Sequence, residues 1–318
     1  MRAIVVREEK MLLEEVPDPV ARPGDLLVKV HAAGLNRADL LQRIGHYPPP
    51  PGEPDTIGLE IAGEVLEPAS RRGERVMALL AGGGYAERAR VPAAQALPIP
   101  NGLSFTESAA IPEAFLTAYL NLVMLGGLAR GHAVVVHAAA SGVGTAALQL
   151  CRGVATTILA TASPGKHDAC RALGATHVLS RAEVPAGLAA AVQRAAGRGA
   201  DLILDLVGAS YLEANVSALG LHGRLCCLST MGGTRSTLDL RALLQKRLTV
   251  LGSTVRTRSP EQKAKLVADF TRHALPRFQS GELRPVLAAT FPIEEAMRAH
   301  EALQRGDLVG KIVLEVAR

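Results

Sequence analysis

Residues 133–150 read AVVVHAAASGVGTAALQL, and the order of these residues decides the fold. Val134, Val135 and Val136 are a β-branched run of the kind that fills a buried strand. Ser141-Gly142-Val143-Gly144 is a turn, and Ala146–Leu150 begins a helical pattern. The 21 residues from Gly131 to Cys151 carry no formal charge, about the length of a membrane span. A strand, a turn and a helix start cannot cross lipid as one element, because backbone amides at the turn would lack partners there. The stretch therefore reads as a buried parallel strand feeding a helix.

The same texture continues outward. Strand candidates are Ala133–His137, Thr156–Ala160, His177–Leu179, Leu202–Leu206, Gly223–Leu228 and Leu248–Gly252, with helical patterns such as Lys166–Leu173 and Leu188–Ala196 between them. That alternation predicts an α/β fold with a parallel sheet covered by helices on both faces. Residues 1–100 are β-rich instead. Met1–Lys10 alternates like a strand, and Leu26–Ala32, Ile61–Leu66 and Arg75–Leu80 follow, punctuated by glycines. Pro48–Pro51 is a stiff extended loop. Residues 105–125 read as helical. Ser259 caps a long helix with Pro260 at its first position, and helix Ile293–Gln304 precedes a last strand, Lys311–Val316.

Composition bounds the function. The 318 residues, 48% of them hydrophobic, exclude a disordered chain and allow two domains. The net charge of +5 comes from 28 Arg and 7 Lys interspersed with 30 acids, so no basic block points to nucleic acid. Four cysteines without a C-x-x-C pair are no disulfide framework, and the N-terminus has no apolar leader; a reducing, cytoplasmic setting is expected.

Gly142-x-Gly144-x-x-Ala147 follows a strand and opens a helix, the context in which a glycine turn binds a dinucleotide pyrophosphate. Ala138, Ser141 and Gly144 offer a second register for the close approach. An NAD-reading unit places an acid at the end of the next strand. Here that end reads Ala160-Thr161-Ala162-Ser163, then Lys166, and Arg181 ends the strand after it. A hydroxyl and two cations suit a 2′-phosphate, which predicts NADPH.

A third group is Leu35-Asn36-Arg37-Ala38-Asp39 with Gly45-His46-Tyr47-Pro48. Tyr47 against the proline run is either a stacking platform, a hydrogen-bond donor to a reducible carbonyl, or a packed loop residue. None of the nine His forms an H-x-x-x-H pair, and no Cys precedes residue 151, so no metal site is expected. Cys226-Cys227 reads as core packing. The apolar Leu248–Ser253 strand reads as a sheet edge that a second copy would cover.

LNRADLL (35–41), YPPPPG (47–52), Gly58-Leu59-Glu60, MALLAGGG (77–84), AIPEA (110–114), SGVGTAA (141–147), DLILDLVG (201–208) and GKIVLE (310–315) together carry a resemblance. The chain resembles the zinc-free quinone oxidoreductases of the medium-chain dehydrogenase/reductase superfamily, in the branch of the tumour-suppressor-inducible quinone oxidoreductase, with zeta-crystallin more distant. The resemblance implies a Rossmann doubly wound parallel sheet (115–257) inserted into a GroES-like β-rich domain (1–114 plus 258–318). Zinc relatives use a Cys near Asn36 and a His where Leu59 stands, so zinc is not implied here. It also implies a cofactor cleft between the domains, lined by Asn36, Tyr47, Thr117, Ser141, Gly142, Val143, Gly144, Ser163, Lys166, Gly208, Met231, Gly232, Ser253 and Lys311. Many relatives carry Tyr at the position of Arg181, which leaves a cation but removes a stacking contact. The implied activity is NADPH-dependent quinone reduction by a homodimer, with Tyr47 and Asn36 orienting the acceptor. An NADPH-dependent enoyl or enone reductase looks similar and uses a Tyr in a G-x-Y-P loop. A non-catalytic NADPH-binding or RNA-binding protein is the rival of another class, since relatives serve as lens crystallins and some bind AU-rich RNA.

Overall fold

The valine run forms the strand Ala133–Val136, buried at every position, and the helix that follows the glycine turn is Gly142–Cys151. The structure is a computed structural model and describes residues 1–316. It divides into two units, Thr117–Thr254 and a second made of Met1–Leu116 with the chain from Val255 onward.

In the first unit six parallel strands lie in the order His177–Ser180, Thr157–Ala162, Ala133–Val136, Ala200–Asp205, Leu219–Cys227, Thr249–Gly252. Numbered along the chain this is 3-2-1-4-5-6, the doubly wound dinucleotide-binding order. The order reverses between Ala133–Val136 and Ala200–Asp205, so the glycine turn and the Val207-Gly208 segment leave the sheet at its switch point. Val135, Leu159, Ile203 and Leu225 pack with Val184, Leu188 and Val192 of helix Val184–Ala196. Thr249–Gly252 pairs on one side only and is the sheet's edge, with Val250 39% exposed.

The second unit holds a seven-stranded sheet in which Asp25–Gly34 pairs with Glu60–Glu67 on one side and Lys311–Glu315 on the other. The C-terminal strands Leu287–Pro292 and Lys311–Glu315 thus complete an N-terminal β domain. Val28, Val30, Ile61, Val65, Ile312 and Leu314 form its core with Ala299 and Ala302 of helix Ala296–Arg305. Helix Pro260–His273 starts as expected, with the Ser259 hydroxyl accepting from the Gln262 amide.

Some expectations need correction. Met1–Lys10 is not one strand but most of a hairpin, Arg2–Arg7 with Lys10–Glu15, turning at Glu8 and Glu9 with φ of 47° and 63°. Such a turn favours Gly or Asn, so two acids hide it from sequence. The helix expected from Lys166 begins at His167, after a single 3₁₀ turn Pro164–Lys166. Residues 105–125 are helical in pieces, Phe105–Ser108, Pro112–Tyr119 and a π-turn Leu120–Leu125. Among the described residues this stretch alone is long and apolar enough to cross a membrane, and it is mostly buried, as a core helix is.

Candidate active site

The glycine turn is built tightly. Ser141 caps helix Gly142–Cys151, its hydroxyl accepting from the Gly144 amide at 3.1 Å. Gly142 and Val143 are the first two helical residues, whose N–H groups have no acceptor within a helix, so they face outward as donors at its positive end. A Cβ on Gly144 would lie 2.5 Å from the Ala138 carbonyl, while Ala138 itself has φ of 46°. Gly144 is therefore where helix and turn pack closest.

The other loops at the switch point are fixed around it. Asp205 Oδ1 accepts from the amides of Val207 (2.7 Å) and Gly208 (3.0 Å). Gly208 has φ of 98°, and the Gly232 amide donates to the Val207 carbonyl at 2.7 Å, which ties Gly232 to Gly208. Met231 beside it is 58% exposed. Behind these loops His137 is fully buried, with Nδ1 2.9 Å from Thr161 Oγ1 and Nε2 2.7 Å from Asn215 Oδ1, and Asn215 donates to Asp205 Oδ2. Burial lowers the His137 pKa, so the ring is a neutral linker between the turn and the Gly208 loop.

Ala162 and Ser180 are paired in register on adjacent strands, so the next residues, Ser163 and Arg181, leave the sheet side by side. Lys166 is half-buried at the end of the 3₁₀ turn that Ser163 begins. The Arg181 carbonyl accepts from the Tyr211 hydroxyl at 2.8 Å, and its side chain is exposed. Thr117 Oγ1 and Ser253 Oγ are buried with no partner among the described residues. Orphaned buried hydroxyls are costly unless something bonds them, so both suit a bound ligand's polar atoms. A dinucleotide fits this set of donors.

The second unit carries a different chemistry. Asn36 follows strand Asp25–Gly34, Glu60 opens strand Glu60–Glu67, and Lys311 opens strand Lys311–Glu315, so the sheet register brings three distant residues together. Lys311 Nζ lies 2.5 Å from Glu60 Oε1 and donates to Asn36 Oδ1 at 2.6 Å and to the Leu35 carbonyl. Asn36 Nδ2 donates to Glu60 Oε1 at 2.9 Å, and the Glu113 amide donates to Glu60 Oε2 at 2.8 Å. Glu60 and Lys311 are 0% and 5% exposed. Gly34 leaves the room: a Cβ there would run into the Glu60 carboxylate.

A buried tier supports Asn36 from below. Asp39 Oδ2 accepts from the Asn36 amide at 2.7 Å and from the Tyr85 hydroxyl at 3.0 Å, and that hydroxyl lies 3.3 Å from His300 Nε2. Burial pushes the Asp39 carboxyl up to about 7 and the His300 imidazole down to about 4.

Tyr47 is held separately. Arg256 is 3% exposed, and it donates to the Ala81 carbonyl (2.7 Å), the Tyr47 carbonyl (3.0 Å) and Gln42 Oε1 (2.7 Å). Its guanidinium stacks 4.9 Å from the centre of the Tyr47 ring. One platform face of Tyr47 is therefore already occupied by the protein's own cation. Burial, and then the Glu113 charge, raise the Tyr47 hydroxyl pKa. Among the described residues Tyr47 makes no hydrogen bond to Asn36 or Lys311.

Sequence reading quoted Asp39 beside Asn36 without giving it a role, and gave none to Glu60, Tyr85, Glu113, Arg256 and His300. The Asn36-x-x-Asp39 spacing is a helix-start signature that could have exposed Asp39. Nothing local marks Arg256, whose partners are two carbonyls and an amide.

A doubly wound nucleotide-binding sheet together with a GroES-like β domain that holds a polar buried cluster defines a dehydrogenase/reductase architecture. Residues 22–101 match the alcohol dehydrogenase GroES-like domain, and residues 173–314 match the zinc-binding dehydrogenase family. The synaptic vesicle membrane protein VAT-1 homolog of Homo sapiens is 32% identical over 96% of this chain and 83% of its own. The quinone oxidoreductase of Homo sapiens is 29% identical over 95% of this chain and 92% of its own. The quinone oxidoreductase from Thermus thermophilus, solved also with NADPH, is 36% identical and superposes with a TM-score of 0.84 over 99% of this chain and 100% of that one. The chain belongs to the medium-chain dehydrogenase/reductase superfamily of oxidoreductases. One matching family is described as zinc-binding. Here Asn36 and the buried Leu59 stand where the resemblance puts ligands, and among the described residues no group of three His, Cys, Asp or Glu could hold a metal ion.

Proposed function

We propose that the chain is an NADPH-dependent quinone reductase that works without zinc. The observation that carries the cofactor choice is the acid-free end of strand Thr157–Ala162, where Ser163 and Arg181 emerge in neighbouring register with Lys166 one turn on. The Thermus thermophilus relative, named a quinone oxidoreductase and solved with NADPH, supports both halves of the reading. Gly142 and Val143 would give amides to the pyrophosphate, and Ser163, Lys166 and Arg181 would hold the 2′-phosphate. Bound NADPH supplies a hydride. Asn36, fixed between Glu60 and Lys311, and Tyr47, clamped by Arg256, would orient the acceptor oxygen, so catalysis rests mainly on positioning.

An NADPH-oxidation screen run in parallel on 1,4-quinones and enoyl thioesters tests the reading. Turnover is expected with quinones; turnover confined to enoyl thioesters would replace it with the enone-reductase alternative. For the cofactor, Lys166→Ala should weaken NADPH binding about 10–100-fold, the loss of one charge-assisted contact of about 1.5–3 kcal/mol. NADH affinity, measured by the same titration, should stay constant. Equal losses for both would assign Lys166 to folding instead. We also propose a homodimer through the one-sided edge strand Thr249–Gly252. Light scattering at assay concentration should give twice the chain mass, and a single-chain mass would rule the pairing out.

A further inference from the structure

Four buried side chains, Thr161, His137, Asn215 and Asp205, form one hydrogen-bonded chain beneath the switch point of the parallel sheet. His137 follows the central strand Ala133–Val136, Thr161 lies on the neighbouring strand Thr157–Ala162, and Asp205 ends the strand Ala200–Asp205 on the other side. Asn215, on helix Leu212–Ala218, bridges His137 and Asp205. All four belong to the unit Thr117–Thr254.

The direction of each bond is fixed from the Asp205 end. Asp205 Oδ1 accepts from the Val207 and Gly208 amides, and Oδ2 accepts from Asn215 Nδ2. Only the NH₂ of an Asn side chain can donate, so the Asn215 carbonyl oxygen is the atom that meets His137. It lies 2.7 Å from Nε2 and needs a donor there, which places the ring proton on Nε2. Nδ1, 2.9 Å from Thr161 Oγ1, then accepts from the Thr161 hydroxyl. Burial, which disfavours a charged imidazole, agrees with a single ring proton. Thr161, His137 and Asn215 thus donate in one direction, toward Asp205, and each bond polarises the next.

The chain ends on a loop with little room. Gly208 has φ of 98°, and a Cβ there would lie 2.5 Å from the Ser229 carbonyl oxygen. The two amides bonded to Asp205 fix where this loop turns, and Gly232 follows through its bond to the Val207 carbonyl. In doubly wound sheets the ligand lies outside the carboxyl ends of the strands at this point. The His137 ring is fully buried, with both nitrogens engaged and the Tyr211 ring packed edge-on at 4.9 Å. It reaches a ligand only through the loop.

We propose that His137 is a positioning residue for the dinucleotide: as an Nε2–H donor it holds Asn215 and Asp205, and through them the Val207–Gly208 loop, in the arrangement that receives the cofactor. This rests on the dinucleotide-binding reading.

The test uses the full chain. Ring ¹⁵N NMR of the free wild type, with His137 assigned through its contact with the Tyr211 ring, should show a proton on Nε2 and none on Nδ1, unchanged from about pH 5 to 8. A proton on Nδ1, or a ring that titrates in that range, overturns the proposal. Saturating NADPH should shift the Nε2–H resonance, and a resonance that does not move overturns the coupling to the loop. Two variants separate the two ends of the ring. The amide nitrogen of His137→Gln takes the place of Nε2 and keeps a donor for Asn215, whereas the amide oxygen of His137→Asn takes the place of Nδ1 and keeps only the acceptor for Thr161. Each gives up one buried hydrogen bond, so Tm should fall by a similar amount in both. NADPH affinity, measured by fluorescence titration, should stay within about twofold of wild type in His137→Gln and weaken about three- to tenfold in His137→Asn. NADH should weaken by the same factor in His137→Asn, because this loop is not part of the Ser163, Lys166 and Arg181 set assigned to the 2′-phosphate. Equal affinities in the two variants, or losses that simply follow Tm, overturn the positioning role while leaving cofactor binding intact. A wild type that binds neither dinucleotide, although its ring carries the Nε2 proton, overturns the dinucleotide reading and the positioning role with it.

Discussion

Replacing Lys311 with Met should lower the free energy of unfolding by about 3–5 kcal/mol, the cost of leaving a buried charge without its partner. The Glu60 carboxylate is 0% exposed, and among the described residues Lys311 at 2.5 Å is the one cation paired with it. Without it the carboxylate keeps two neutral donors, Asn36 Nδ2 and the Glu113 amide, which do not replace a charge. Asn36 Oδ1 and the Leu35 carbonyl lose a donor as well. Urea unfolding at pH 7, without cofactor, measures the loss separately from any effect on binding. Adding Glu60→Gln to Lys311→Met should recover a large part of it, because no uncompensated charge then remains. A Lys311→Met chain within about 1 kcal/mol of the wild type would mean that the pair is solvated and carries little stability, as surface pairs do.

The same cluster shows where sequence reading stops. The strand, turn and helix at 133–150 were legible because hydrophobic pattern and glycine spacing are local signals, whereas the strand order is a tertiary fact that the right-handed crossovers of such units do not fix. The exposed edge at Thr249–Gly252 was legible as the last strand of the alternation. The family motifs quoted the pieces of the polar cluster, LNRADLL, Gly58-Leu59-Glu60, AIPEA and GKIVLE, but not how they join. Asn36 and Lys311 are 275 residues apart and meet only because Asp25–Gly34 pairs with the last strand. Tyr85 follows three glycines and reads as part of a turn, yet it is 0% exposed and bonded to Asp39. Burial of a single polar residue leaves no period in the sequence. The Glu8-Glu9 turn failed for the opposite reason, a local signal carried by the wrong residues.

Asp39→Asn should make the protein more stable at alkaline pH, by an amount on the order of 4 kcal/mol, and by only about 1.5 kcal/mol at pH 5, near the lower end of the titration window. Asp39 is 0% exposed, and burial raises its carboxyl from the usual 3.8 to about 7. The Asn36 amide, Lys311 and the Tyr85 hydroxyl pull it down and Glu60 pushes it up, and burial outweighs them. The folded chain therefore keeps a proton that the unfolded chain has released between about pH 4 and 7. Stability tied to that proton is present at low pH and lost as pH rises through this window, and above it the folded state holds a buried carboxylate at full cost. His300 acts in the opposite sense, since its imidazole is neutral in the folded chain above about 4 while the unfolded chain holds a proton below the ordinary 6.5. Its contribution rises with pH and cancels only when wild type is compared with the variant at the same pH. Asn at this position imitates the protonated acid: its Oδ1 can accept from the Asn36 amide and the Tyr85 hydroxyl, as Asp39 Oδ2 does at 2.7 and 3.0 Å. The position of the second oxygen, which has no partner among the described residues, would carry an NH₂ in place of the acid's O–H. Urea unfolding at pH 5 and pH 9 should thus show wild-type stability falling between the two values relative to the variant. An Asp39→Asn chain that is less stable than wild type at pH 9 would show that Lys311 and the two hydrogen bonds outweigh burial, and that Asp39 positions Asn36 as a carboxylate.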